Sequence, residues 1–256
     1  DLLFATAHSI NTIYVPLGMK AGVDKVVDVA RRAGIPTTVA LMPTPSISLG
    51  VASPHVIDMA AAYATFAAQG TYAKPYLIKE VTGPSGNLMY QSTISSNQVF
   101  SADVMADLTY ALQKVTEYGT GGAAGSGMNR PTAGKTGTTT DNASAWFSGY
   151  TPQLATSVAL FRDDATQTLN GIGGLNAVTG GSFPARIWNY YSKAALRGEP
   201  VEQFPAPANI GGTESVSYAD AIPTLDPALA ESARPTKKAP VPTYKVSKSP
   251  TPTKKK

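Results

Sequence analysis

The residues best suited to do chemistry are Lys135, Thr136, Gly137 and Thr138, in the run Ala133-Gly134-Lys135-Thr136-Gly137-Thr138-Thr139. The run is rich in β-branched residues, so it reads as a strand rather than a helix. Two alternating apolar runs follow, Ala145–Tyr150 and Leu154–Phe161, separated by Thr151-Pro152-Gln153. They read as adjacent antiparallel strands joined by a turn. On an edge strand beside a cleft, Lys135 puts a positive charge near a substrate carboxylate or a catalytic hydroxyl. Thr136 offers a hydroxyl to the same carboxylate. Gly137 has no side chain, so an extended peptide can lie against the strand and pair with its backbone. The N–H of Thr138 can then face a developing oxyanion.

Gly134-Lys135-Thr136 also mimics the end of a phosphate-binding loop. That loop needs a glycine at position 129, where the chain has Asn129. It also needs a helix after the lysine, so that phosphate meets a helix N-terminus. Gly137 and a run of threonines follow instead, so the nucleotide reading is set aside.

The lysine triplet gains meaning from an upstream partner, Ser9-Ile10-Asn11. A serine and an asparagine two residues apart, in a short connection between helices, can both point into one cleft. The serine can relay a proton and the asparagine can hold a substrate amide. Ser-x-Asn and Lys-Thr-Gly, joined by Ser-x-x-Lys, form the motif set of penicillin-binding proteins and serine β-lactamases.

On these residues the chain resembles the transpeptidase domain of a class A, bifunctional penicillin-binding protein of actinobacterial type. The resemblance runs from Asp1 to Phe204. It includes Ser53-Pro54 leading into Met59–Ala67 and Gly70, then Gly119-Thr120-Gly121, then Trp146–Pro152. It implies an α+β fold, part of a serine β-lactamase/transpeptidase-like architecture with an antiparallel sheet flanked by helices. It implies a D,D-transpeptidase that crosslinks peptidoglycan stem peptides through an acyl-serine and is a target of β-lactams. The catalytic residues would be Ser9, Asn11 and Lys135, and the substrate-binding residues Thr136, Gly137 and Thr138. In that scheme Ser9 passes a proton to the leaving D-alanine amine, and Asn11 holds the substrate backbone. Lys135 tunes the relay, and the Thr136 and Thr138 hydroxyls bind the substrate carboxylate. The Thr138 N–H forms half of an oxyanion hole. No cofactor or metal is called for, and the implied location is the extracytoplasmic face of the membrane, anchored by an upstream segment.

The chain departs from the family at the nucleophile. None of its serines has a lysine three residues later. In the family that motif lies upstream of Ser-x-Asn, and only eight residues precede Ser9 here. The expectation is therefore that the nucleophile sits on polypeptide not included in this sequence, which would also be the chain's nearest partner. Two rivals remain at this stage: a non-catalytic module of the same fold that binds wall or partner, and a D,D-carboxypeptidase or β-lactamase.

Composition sets further bounds. The 256 residues are 43% hydrophobic, enough for one sizeable core. There is no cysteine, which rules out disulfides and thiol chemistry. Of 21 basic residues, eight lie from Arg234 onward with no acid among them, leaving 13 basic against 17 acidic residues in the body. The basic pI thus describes a tail, and no aromatic-and-basic groove pattern supports a nucleic-acid partner. The expected boundary falls at Phe204. Residues 205–256, rich in Pro, Ala and Lys, bury too little apolar surface to offset chain entropy. They read as a solvated tail, with contact to anionic wall or membrane as the alternative.

Helices are expected at Lys20–Ala33, Ile57–Ala68, Ser101–Glu117 and Ser182–Leu196, the last two capped by Ser101 and Ser182. Ile47–Gly50 reads as a short strand. Tyr76–Thr82 and Asn87–Tyr90 read as a hairpin-like pair. The glycine-rich segment 119–127 reads as a flexible segment lining the cleft, with no catalytic residue in it. His8 reads as a satisfied local residue.

Overall fold

The computed structural model describes residues 1–164 and 167–212. Three helices open the chain: α1 (Leu2–His8), α2 (Asn11–Ala21) and α3 (Val23–Ala33). The Asp1 carboxylate caps α1 by accepting from the Phe4 N–H at 2.8 Å. The expected single helix from Lys20 is broken at Gly22, whose φ of 98° is a conformation that side-chain-bearing residues avoid. Lys20 and Ala21 therefore close α2 instead of opening α3. The expected strand at 47–50 is a 3-10 turn, Pro45–Leu49, with Pro45 at its start and Gly50 in the left-handed region after it. Proline presets the turn's φ and donates no ladder hydrogen bond.

Helix α4 (Val56–Ala67) follows, then β1 (Thr71–Ala73), β2 (Glu80–Thr82), β3 (Leu88–Gln91) and β4 (Ser96–Gln98). Strands β2 and β3 pair around the Gly83–Gly86 turn as expected, although the first of them starts at Glu80 and not at Tyr76, and β1 pairs with β4. The second pairing was not expected, because strands of three residues carry no readable alternation. Helix α5 (Ala102–Glu117) begins at Ser101, whose hydroxyl accepts from the Val104 N–H. Its buried residues Met105, Ala106, Thr109, Leu112, Val115 and Thr116 recur every three or four positions.

A one-turn helix α6 (Gly122–Gly125) precedes the central sheet of β5 (Ala133–Thr138), β6 (Ser144–Tyr150) and β7 (Ala155–Phe161), and α7 (Phe183–Ala195) closes the body. The sheet is antiparallel in the order β5-β6-β7, so β5 is an edge. Alternation splits its side chains between two cores. On one face Tyr150 and Ala133 pack with Leu112 of α5. On the other, Phe147 packs with Trp188 and Ala185 of α7 and Ala124 of α6. The Trp188 indole N–H donates to both Gly149 O and Thr156 O at 3.2 Å, tying α7 to two strands at once. Helices thus cover both faces of an antiparallel sheet, the α+β arrangement expected from sequence.

Ser182 does not cap α7 through its side chain. Its hydroxyl closes the preceding turn instead, accepting from Thr179 N at 2.9 Å and donating to Thr179 O at 2.7 Å. Beyond the expected boundary the chain stays on the body. Phe204 sets its ring edge-on to Tyr150, and the Asp107 carboxylate of α5 accepts from the Asn209 and Ile210 N–H groups at 2.8 and 3.0 Å. The lysine-rich stretch assigned to the tail lies outside the described residues.

Candidate active site

Four segments build the site. The first is the corner between α1 and α2. Ser9 ends α1 in the left-handed conformation, φ 57° and ψ 52°. In this corner Ser9 N–H turns back to Thr6 O and Ile10 N–H to Ala5 O. Helix α2 starts directly after, so Asn11 is its first residue. The corner joins the two helices within two residues and leaves Ser9 and Asn11 exposed on it.

The second segment is edge strand β5. Register sets Lys135 opposite Ser148, Thr136 opposite Phe147, Gly137 opposite Trp146 and Thr138 opposite Ala145. Its other edge has no strand partner among the described residues, so it is open for pairing. The Lys135 ammonium reaches across to the corner and donates to Ser9 Oγ at 2.8 Å. It also donates to Thr136 O at 3.0 Å and approaches Thr136 Oγ1 at 3.4 Å. These acceptors are all neutral. Burial without a compensating carboxylate lowers the ammonium pKa from 10.5 to about 8. Near neutral pH such a lysine can both give and take a proton, and its nearest hydroxyl is that of Ser9.

The third segment is the glycine-rich turn after α5. Thr120 N–H donates to Ala7 O at 2.9 Å, fastening the turn to the end of α1. Gly119 permits the approach, since a Cβ there would stand 2.2 Å from Ala7 O. The Thr120 hydroxyl lies 2.6 Å from that of Thr136. The fourth segment is the turn ahead of α7, where Gly180 N–H donates to Thr138 Oγ1 at 3.0 Å.

The structure thus brings together Ser9, Lys135 and Thr136, with Gly137 and Thr138 following on the same strand. Asn11 lies two residues after Ser9 in the chain, and its side chain has no hydrogen-bond partner among the described residues. Thr120 was passed over in the sequence, where the glycines around it suggested only flexibility. The signal that could have found it is a hydroxyl inside a Gly-Thr-Gly triplet, where neighbours without side chains allow close packing. His8 stacks on Phe4, with ring centroids 4.3 Å apart, and faces Tyr118 at 6.2 Å; it makes the local contacts expected of it.

A family profile described as "Transpeptidase: Penicillin binding protein transpeptidase domain" matches residues 2–169. The chain belongs to this family. Penicillin-binding protein 1A of Mycolicibacterium smegmatis is 33% identical over 240 residues, covering 86% of this chain and 30% of that protein. The Mycobacterium tuberculosis protein of the same name is 33% identical over 237 residues, covering 83% of this chain and 28% of its own length. Among solved structures, the PonA1 protein of Mycobacterium tuberculosis in complex with penicillin V superposes with a TM-score of 0.76 at 32% identity, over 85% of this chain and 62% of that one. The class A resemblance stands on these matches, and mycobacterial relatives fit its actinobacterial type. The chain spans less than a third of the length of these curated relatives. Among the described residues, no helix is long and apolar enough to cross a membrane.

Proposed function

We propose that the chain supplies the leaving-group and carboxylate side of a D,D-transpeptidase site, completed by a nucleophilic serine and its lysine from outside these 256 residues. The substrate is a peptidoglycan stem peptide ending in D-alanyl-D-alanine. β-Lactams, which carry a comparable acyl group and carboxylate, acylate the same serine. The bond from Lys135 Nζ to Ser9 Oγ supports this reading above all others. It joins residues 126 positions apart around one hydroxyl, which a strand-edge lysine with a purely solvating role does not require.

In the proposed cycle the stem peptide lies along β5, pairing with its free edge over Gly137. The nucleophilic serine gives its proton to its own lysine and attacks the D-alanyl carbonyl. The Thr138 N–H and the nucleophile's own N–H stabilise the oxyanion. Ser9 donates its proton to the departing D-alanine nitrogen as the C–N bond breaks, and Lys135 replaces that proton through their shared hydrogen bond. Asn11 holds the substrate amide, while the Thr136 and Thr138 hydroxyls hold the terminal carboxylate. An acceptor amine then attacks the acyl-serine, its proton passes through Ser9 back to Lys135, and the released serine oxygen takes its own proton back from its lysine. This work belongs on the extracytoplasmic face of the membrane, with an upstream segment as anchor.

The test is acylation of the full-length protein by fluorescent penicillin. Lys135→Ala should slow labelling by about 10²-fold, the scale of removing one electrostatic group from an acyl-transfer site. Equal rates would remove Lys135 from the mechanism. Labelling of any serine within this chain would refute the assignment of the nucleophile to polypeptide outside it.

A further inference from the structure

We propose that Thr120 is a positioning residue that turns the hydroxyl proton of Thr136 toward the substrate carboxylate. The inference rests on the transpeptidase reading above and adds a residue to it. A threonine hydroxyl has one proton and two lone pairs. For Thr136 to donate to a carboxylate, its other neighbours must act as donors to it. The Lys135 ammonium is always a donor while charged, and it lies 3.4 Å from Thr136 Oγ1. That contact is too long to fix the rotor by itself. The Thr120 hydroxyl at 2.6 Å is the strong contact. When Thr120 donates, both occupied sites on Thr136 Oγ1 are acceptor sites, and the proton is directed outward.

The same device recurs one step along the strand. Thr138 Oγ1 accepts from the Gly180 N–H at 3.0 Å, which again leaves a hydroxyl proton for the ligand. The two supporting donors come from different elements, the turn after α5 and the turn before α7. Each backs one hydroxyl of the edge strand. Thr120 is also held rigidly enough for the task. Its N–H is bonded to Ala7 O at 2.9 Å, and its carbonyl lies so close to Gly181 that a Cβ there would stand 2.3 Å away. The residue therefore links the Ser9 corner, the lysine strand and the approach to α7, and its hydroxyl faces the one threonine that flanks Lys135.

The experiment measures the second-order rate of acylation of the full-length protein, as wild type, Thr120→Val and Thr120→Ser. Two probes are used: benzylpenicillin and its methyl ester, which lacks the carboxylate charge. Thr120→Val should slow benzylpenicillin by about 5- to 10-fold, the scale of one neutral hydrogen bond, because the bond it removes joins two hydroxyls. It should leave the ester within about twofold of wild type, because the ester gains little from Thr136 donation. Thr120→Ser should restore the benzylpenicillin rate. An equal loss with both probes would show a structural role and overturn the proposal. An unchanged benzylpenicillin rate, or no rescue by serine, would overturn it too. A wild-type protein that forms no covalent adduct with benzylpenicillin would overturn the transpeptidase reading itself, and is thereby distinguished from a failure of Thr120 alone.

Discussion

Replacing Lys135 with methionine should stabilise the fold at neutral pH while abolishing the site. Methionine has similar length and no charge, so the substitution mainly removes a buried ammonium that meets only neutral oxygens. Burial lowers its pKa from 10.5 to about 8, which corresponds to about 3 kcal/mol of unfavourable charging when the lysine is protonated in both states. The side chain is partly open to the cleft, and screening there reduces the expected gain to about 1–2 kcal/mol. The sign follows from proton binding. Between pH 8 and 10.5 the unfolded chain holds this proton more tightly than the folded one, so wild-type stability gains from this group as pH rises through that window. The methionine variant lacks the contribution. Urea denaturation of both proteins from pH 7 to 10.5 should give the variant its largest advantage at pH 7 to 7.5, closing toward zero near pH 10.5. An advantage that stays constant with pH, or a variant less stable than wild type at pH 7, would refute the view that Lys135 is held at an energetic cost.

Three other outcomes follow from the packing. The Thr109 and Tyr150 hydroxyls are bonded at 2.8 Å inside the body, so Thr109→Val should cost about 1–3 kcal/mol by stranding the tyrosine. Adding Tyr150→Phe should recover most of that loss in a urea double-mutant cycle. Gly119→Ala should force the glycine-rich turn off Ala7 O, costing about 1–3 kcal/mol of stability and slowing penicillin labelling in the full-length protein. Retained stability and labelling would deny that contact its role. Asp107→Ala should release the segment after Phe204, read as faster hydrogen exchange at the Asn209 and Ile210 amides with α5 unchanged.

Much of the body was legible because its signals are local. The alternation in 145–150 and 155–161 marks strands whose two faces meet different cores. The three-to-four spacing in 102–117 marks a helix with one buried side, and Ser101 marks its start. The errors lie where a local signal admits two solutions. Gly22 sits within a continuous amphipathic pattern, and only the packed chain shows that it takes φ 98° and divides two helices. Ser182 precedes an apolar run in the manner of a cap, yet its hydroxyl is spent on the turn before the helix. The three-residue strands β1 and β4 are too short to carry a period, and they exist because their partners face each other.

The same division runs through the site. The amino-acid order alone determined which groups are available: a serine and an asparagine two apart, and a lysine, threonine and glycine on one strand. Such identities are properties of short segments, which residue type and spacing specify directly. The tertiary structure decided which of them meet. Lys135 reaches Ser9 because α5 and the sheet carry the strand up to the corner after α1, and Thr120 reaches Thr136 because Gly119 lets a turn press against Ala7. Contacts between residues far apart in sequence arise from the packing of whole elements, and short-range patterns carry no record of it.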